Sequence, residues 1–268
     1  MITTQRPVGD HLREWRQRRR LSQLELACEA DISTRHLSFL ETGRAQPSRE
    51  MVLHLAERLE VPLRERNAIL VAAGYAPVFP DRSLDDPALA AAREAIRLVL
   101  DGHEPSPAIA VDRHWVLVAA NRAVAPLIAG ADPALLAPPM NVLRLSLHPQ
   151  GMAPRILNFS QWRGHILDRL RRQVSTSADP VLNDLLSELE GYMAPGPIDA
   201  PDEAVGHGDA AGFVVPLRLR VGEQVLTFIS TTTVFGTPID VSLEQLAVES
   251  FFPADAVTAE ALRRMAAG

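Results

Sequence analysis

The chain has no lysine, a single cysteine, few aromatic residues (5%) and no long apolar run. The missing lysine fits a GC-rich coding sequence and carries no functional weight, since all 27 basic residues are arginines. With Cys28 alone, a disulfide within the chain and a multi-cysteine zinc site are both excluded, and a reducing compartment is the natural setting. Apolar stretches break well short of the roughly 18 residues a membrane helix needs, and no apolar signal core follows the first charges. A cytoplasmic protein with no membrane partner is therefore expected. Catalytic signatures are missing too: there is no glycine-rich phosphate loop, nucleophile elbow or kinase motif. His148 and His165 lack an i, i+4 histidine or a carboxylate cluster at ligand spacing, so no metal is expected. The reading is a non-enzyme that requires no cofactor.

What is present is a globular composition, 47% hydrophobic and 22% charged, in 268 residues. At roughly 100 to 200 residues per domain, that length implies two domains. The net charge of -6 argues at first against nucleic acid, yet it is unevenly spread. Positions 1–74 carry 12 arginines against 10 acidic residues, leaving 15 against 23 for the remainder. Phosphates respond to local charge, because fields beyond about 8 to 10 Å are screened. Arg13, Arg16, Arg18, Arg19 and Arg20 form a run broken by one acid, Glu14. Taken alone, such a run reads as a solvated helix face.

Residues 9–74 read as five short helices divided by cap and turn signals. The first, from Asp10 to Arg20, places Leu12 and Trp15 on one face. Ser22 and Glu25 have the spacing of a capping box and open the second, which is expected to turn Leu24, Ala27 and Cys28 inward. Ser33 caps the third, with Leu37 and Leu40 one turn apart and Gly43 as its stop. Ser48 and Glu50 open a fourth, striped by Val52, Leu55, Ala56 and Leu59, and Pro62 begins a fifth. In the order helix, short turn, helix over Ser22 to Thr42, the second helix can offer its first turns to a DNA major groove. Ser33, Thr34, Arg35 and Ser38 could bond base edges or phosphates there, arginine being the best reader of guanine. Gln23 and Arg44 are placed for phosphate.

Residues 75–87 hold three prolines and no helical period, and a helix over 88–101 follows that could pack on the second domain or pair with a partner chain, so 75–105 reads as linker and connecting helix. Residues 106–268 read as α+β. A hairpin is expected over 108–119, helices over 122–128, 161–174 and 180–192, a loop over 194–212, and strands over 213–221, 224–233 and 243–252. The alternation Leu217, Arg218, Leu219, Arg220, Val221 wets one face of a strand, which points to an antiparallel sheet with helices on one side. Trp115, Phe159, Trp162 and Phe228 read singly as core and together as the walls of an apolar pocket.

The string LREWRQRRRLSQLELACEADISTRHLSFLETGRAQPS resembles the XRE (Cro/C1-type) helix-turn-helix family of phage-repressor-like regulators, over about a quarter of the chain. The resemblance implies an all-α five-helix DNA-binding domain at 1–74, with Gln23, Ser33, Thr34, Arg35 and Ser38 on DNA. It also implies a partly buried ion pair between Arg16 and Glu41. Phe39 departs from the usual polar or aliphatic residue and could pack or touch a thymine methyl; His36 is equally open.

A second set of segments, HWVLVAANRAV, NVLRLSLHPQGM, NFSQWRGHILDRLRRQV, DPVLNDLLSELEGY and TPIDVSLEQLAVESFFPAD, is similar to the ligand-binding domain of MmyB-like transcription regulators, over roughly 90–265. That similarity implies a PAS-like fold whose sheet encloses an apolar cavity for a fatty acid or similar molecule. Trp115, Asn121, His148, Phe159 and Trp162 are the expected lining, with Asn121, His148 or Arg155 as donor to a carboxylate headgroup. The expectation is a homodimeric, sequence-specific transcriptional regulator on a double-stranded DNA operator, modulated by a small apolar effector. Its rivals are a constitutive regulator with a collapsed second domain, a DNA-targeted enzyme, and an adaptor whose helical domain binds protein.

Overall fold

The computed structural model describes residues 6–82, 86–177, 179–193, 215–234 and 240–267. The chain forms two compact units, Met1–Asp86 with Gly236–Glu244, and Pro87–Phe235 with Gln245–Gly268.

The first unit is helical: α1 (Val8–Arg18), α2 (Gln23–Glu29), α3 (Thr34–Glu41), α4 (Arg49–Arg58) and α5 (Leu63–Ala72). Serine hydroxyls start three of them. Ser22, Ser33 and Ser48 accept from the backbone N–H groups of Glu25, His36 and Met51, and Glu25 returns a bond to Ser22. Such caps satisfy orphan donors and contribute about 1 kcal/mol each. Leu12, Trp15, Leu26, Ala27, Leu37, Leu40, Val52, Leu55, Leu59, Ile69 and Leu70 make the core. Leu24 and Cys28 face outward instead of inward, Leu24 being 62% exposed. The seven-residue α2 buries the face of Leu26, Ala27 and Ala30, and a stripe that short is decided by its neighbours. Gly9 lets α1 and α3 nearly touch, since a Cβ there would lie 2.6 Å from the carbonyl oxygen of Leu40.

The stretch expected to start a linker folds back on this unit. Tyr75 and Val78 pack on its core, the Tyr75 hydroxyl donates to the Pro47 carbonyl, and Asn67 bonds Val78 and Phe79. The single turn α12 (Val241–Glu244) completes it, with the Val241 N–H on the Pro80 carbonyl (2.9 Å) and Arg82 paired with buried Asp240 (2.9 Å). Pro62 supplies no side-chain cap for α5, and the Glu244 carboxylate takes that place by accepting from the Leu63 N–H at 2.8 Å. Residues 243–246 were expected within a strand; β5 begins only at Ala247.

The second unit is built on a five-stranded antiparallel sheet of order β2-β1-β5-β4-β3: β1 (Ala108–Val111), β2 (Leu117–Ala120), β3 (Leu217–Val221), β4 (Gln224–Val234) and β5 (Ala247–Pro253). This is an α+β, PAS-like arrangement. Gly222 in the left-handed region (φ 60°) closes the tight β3–β4 turn. Around the sheet lie α6 (Ala90–Gly102), α7 (Ala125–Ile128), α8 (Pro133–Leu136), α9 (Val142–Leu147), α10 (Phe159–Ser177), α11 (Pro180–Glu190) and α13 (Ala256–Ala267). Both faces of β1 are covered, not one. Side chains alternate along a strand, yet all four β1 residues are buried, and α6 packs on this strand with Ile96 and Leu100 inward. The expected connecting helix is thus part of the second unit. The expected loop over 194–212 and the start of the strand expected at 213 lie outside the described residues.

Candidate functional site

On the first unit, the arginines nearest the two central helices fall into two groups. One group is internal. Arg16 holds Glu41 with two bonds of 2.6 and 2.8 Å, and Arg13 reaches the Glu41 carbonyl. Arg18 pairs with Glu14, and Arg19 bonds the carbonyls of Leu59 and Glu60. The basic run seen in sequence is therefore mostly tied down as helix-fastening contacts, neither a free stripe nor a solvated face. Burial works against the Glu41 carboxylate, which is only 2% exposed. Hydrogen bonds from Arg16 and Gln23 and the charges of Arg16 and Arg13 outweigh that burial and hold its pKa below the ordinary value.

The second group is free. Arg35, in the first turn of α3, and Arg44, just past its end, are exposed and make no ion pair among the described residues. Both guanidinium groups lie over the ring of Phe39, at 5.3 and 6.0 Å from its centroid. Phe39 is a platform for two cations. Ser33 uses its acceptor as the α3 cap, and Ser38 and Thr34 are half-exposed on the same short helix. Gln23 gives one amide hydrogen to Glu41 at 2.8 Å and keeps a second for another acceptor, so the Arg16–Glu41 pair also orients Gln23.

In the second unit, the inner face of the sheet, α7, α9 and α10 line a cavity of about 110 Å³ with an almost wholly apolar wall. Ile109, Trp115 and Leu117 come from the first hairpin, Leu127 from α7, Leu143 and Leu145 from α9, Trp162 and Ile166 from α10, and Phe228 and Phe251 from β4 and β5. Met140 and Met152, two flexible side chains, complete the wall.

Trp115 reaches this wall by an unusual backbone. Its φ of 65° is rare for a bulky residue and costs about 1 to 3 kcal/mol. Several contacts hold it there: its N–H bonds the Asp112 carbonyl, its carbonyl accepts from Val142, and its indole N–H donates to Gln173 at 2.9 Å. The β1–β2 register shifts just before this point, between Ala110 and Val111.

Two charged residues touch the cavity, Arg169 and Glu249. Arg169 lies 4.5 Å over the Trp115 ring and donates to Glu249 Oε1 (2.5 Å) and to the Thr232 hydroxyl (2.7 Å). His165 stacks on Trp162; burial first, then the Arg169 and Arg172 charges, lower its pKa, so it is neutral at pH 7. Among the described residues no group of three or more His, Cys, Asp or Glu could hold a metal, and no helix is long and apolar enough to cross a membrane.

Residues 92–265 match the MmyB-like transcription regulator ligand binding domain. The chain belongs to the MmyB-like transcription regulators. Residues 7–69 match a helix-turn-helix domain, so the whole is a DNA-binding transcription regulator. No curated protein matches the chain at a significant level.

Of the residues that sequence reasoning named for a pocket or its ligand, the regulator brings Trp115, Trp162 and Phe228 to the cavity. Asn121 lies outside its lining: 5% exposed, it bonds the Ala108 N–H and the Leu100 and Ser106 carbonyls, and so pins α6 to β1. His148 accepts from the Gln150 N–H and packs edge-on against Tyr192. Arg155 donates to the Ala129 carbonyl, and Phe159 is core. None of these three lines the cavity either. The polar lining residues not named for a ligand were Ser146, His165, Arg169, Ser230 and Glu249. A signal existed for two of them, because Trp162, His165, Ile166 and Arg169 share one helix face. Glu249 and Ser230 become visible only once β4 and β5 are paired.

Proposed function

We propose that this regulator binds its operator as a homodimer through α3, and that a small apolar ligand in the cavity of the second unit modulates that binding. The observation that carries the reading is an apolar pocket in the same chain as an exposed pair of unpaired arginines on a helix-turn-helix. Arg35 would read a base edge, Arg44 and the spare amide hydrogen of Gln23 would meet phosphates, and Ser33, Thr34 and Ser38 would add short polar contacts. One such unit covers a half-site, so two copies would address half-sites about 34 to 36 Å apart. A ligand can act only by unequal affinity for the DNA-competent and incompetent states.

One observation favours the rival reading of a constitutive regulator. The cavity is about 110 Å³, and a cavity of about 150 Å³ holds benzene. A long fatty acid would require Met140 and Met152 to move aside.

Native mass spectrometry of the protein from its own host, followed by operator titration with the extracted small molecule, tests the proposal. A mass retained at a fixed ratio per protomer that shifts operator affinity supports it. Filling the cavity with Leu127→Trp should abolish both the retained mass and the shift while leaving specific DNA binding intact. An apo protein with operator affinity indifferent to Leu127→Trp would favour the constitutive reading.

A further inference from the structure

Arg35 and Arg44 belong to different pieces of backbone, one to the first turn of α3 and the other to the loop that leaves it. Their guanidinium groups nevertheless lie over the same ring, that of Phe39. Arg35 and Phe39 stand one helical turn apart on α3 and so share a face. Gly43, in the left-handed region (φ 71°), turns the chain back after the helix. The backbone N–H groups of Arg44 and Ala45 then both bond the Phe39 carbonyl, at 2.8 and 3.1 Å. Phe39 thus ties the exit loop by its carbonyl and gathers the two cations by its ring.

An exposed arginine side chain samples many rotamers, and immobilising it on binding lowers affinity. Resting the guanidinium on an aromatic face removes part of that freedom beforehand. The contact engages the flat face of the group and leaves its N–H edge open, and that edge is what meets a guanine or a phosphate. Arg35 is the closer of the two, 5.3 Å from the ring centroid against 6.0 Å for Arg44. Such contacts fade beyond roughly 6 Å, so base reading should depend on the ring more than the phosphate contact does.

We infer that Phe39 is a positioning residue for operator recognition: its ring holds Arg35 in register for a base edge and Arg44 for a nearby phosphate. Sequence discrimination then depends on a side chain that acts through two others. The inference rests on the reading of α3 as the DNA-facing helix.

The test uses the full-length protein and a duplex that it selects from a random-sequence double-stranded DNA library, with a scrambled duplex of equal length and composition as reference. Fluorescence anisotropy gives the ratio of the two affinities for the unaltered protein, Phe39→Leu, Phe39→Met, Phe39→Tyr, Arg35→Ala and the double variant Arg35→Ala with Phe39→Leu. Circular dichroism and the thermal midpoint identify the folded variants. Phe39→Leu and Phe39→Met keep an apolar side chain without an aromatic face, and should lower the ratio about two- to fivefold, the weight of an exposed cation–π contact. Phe39→Tyr keeps the face and should hold the ratio near that of the unaltered protein. Once Arg35 is gone, loss of the ring should cost little further discrimination, so the double variant should lose less than the product of the two single losses. A ring that only packs would change both affinities together and leave the ratio unmoved. A folded Phe39→Leu or Phe39→Met with an unchanged ratio would overturn the inference. Losses that multiply in full in the double variant would overturn it too, and would mean that Phe39 touches a base on its own account. If Arg35→Ala leaves the ratio unchanged, the reading of α3 itself falls, and this inference with it.

Discussion

The two units use buried charge for opposite ends. In the helical unit the Arg16–Glu41 pair sits beside the proposed DNA face, and it fastens α1 to α3 while steering Gln23. In the PAS-like unit the Arg169–Glu249 pair lines the apolar cavity itself, its two charges offsetting each other. The first arrangement leaves Arg35 and Arg44 free for an anionic partner outside; the second sets a cation and an anion side by side at an apolar wall. Arginine–glutamate pairs look alike in a sequence, and their consequence depends on what lies next to them.

Breaking the first pair should have the largest effect. Glu41→Ala leaves the partly buried Arg16 guanidinium with only the Leu21 carbonyl and should destabilise the helical unit by about 3 kcal/mol. Hydrogen exchange should accelerate across α1 to α5 while amides in β1 to β5 keep their protection; equal acceleration in both would remove the distinction between the units. Acid provides a milder version. The folded Glu41 pKa is lowered from 4.5, so its contribution is fully present above that value and is lost as pH falls through the folded pKa. Acid titration of helical signal in the unaltered protein should therefore show a step that Glu41→Gln removes.

In the second unit, Asn121→Ala removes three buried hydrogen bonds, to the Ala108 N–H and to the Leu100 and Ser106 carbonyls, and should destabilise it by about 1 to 3 kcal/mol, read by denaturant unfolding and by exchange at β1. On the DNA face, Arg35→Ala should reduce discrimination between operator and altered sequence by about 1 to 3 kcal/mol. Arg44→Ala should instead weaken all sequences alike and flatten the salt dependence, by about one phosphate contact. An unchanged preferred sequence and affinity in Arg35→Ala would mean that α3 is used in a different register. The smallest effect expected is that of Ser22→Ala, about 1 kcal/mol from loss of the capping box, measured as a lower thermal midpoint.

The helical unit was legible because its instructions are local. A cap serine lies three residues from the N–H it satisfies, and an apolar stripe repeats every three or four residues. The errors there came where local rules are weakest: the one-turn stripe of α2, which exposed Leu24, and the arginine run, whose partners lie up to 41 positions away. The strands of the second unit were also found, their alternation being just as local, although the turn at Val241–Glu244 interrupted one of them.

From sequence alone came the helix-turn-helix, its caps, the antiparallel strands and the likeness to MmyB-like regulators, all of which rest on spacings within about ten residues. Only the tertiary structure decided which polar residues meet the cavity. Arg169, Glu249 and Thr232 are 63 and 80 positions apart from the arginine outward, and they meet because α10 crosses the paired β4 and β5. Asn121 and His148, equally polar and equally near in sequence to apolar segments, were drawn instead into hydrogen bonds with the backbone. A side chain's type states what it can bond; which partner it receives is fixed by long-range register.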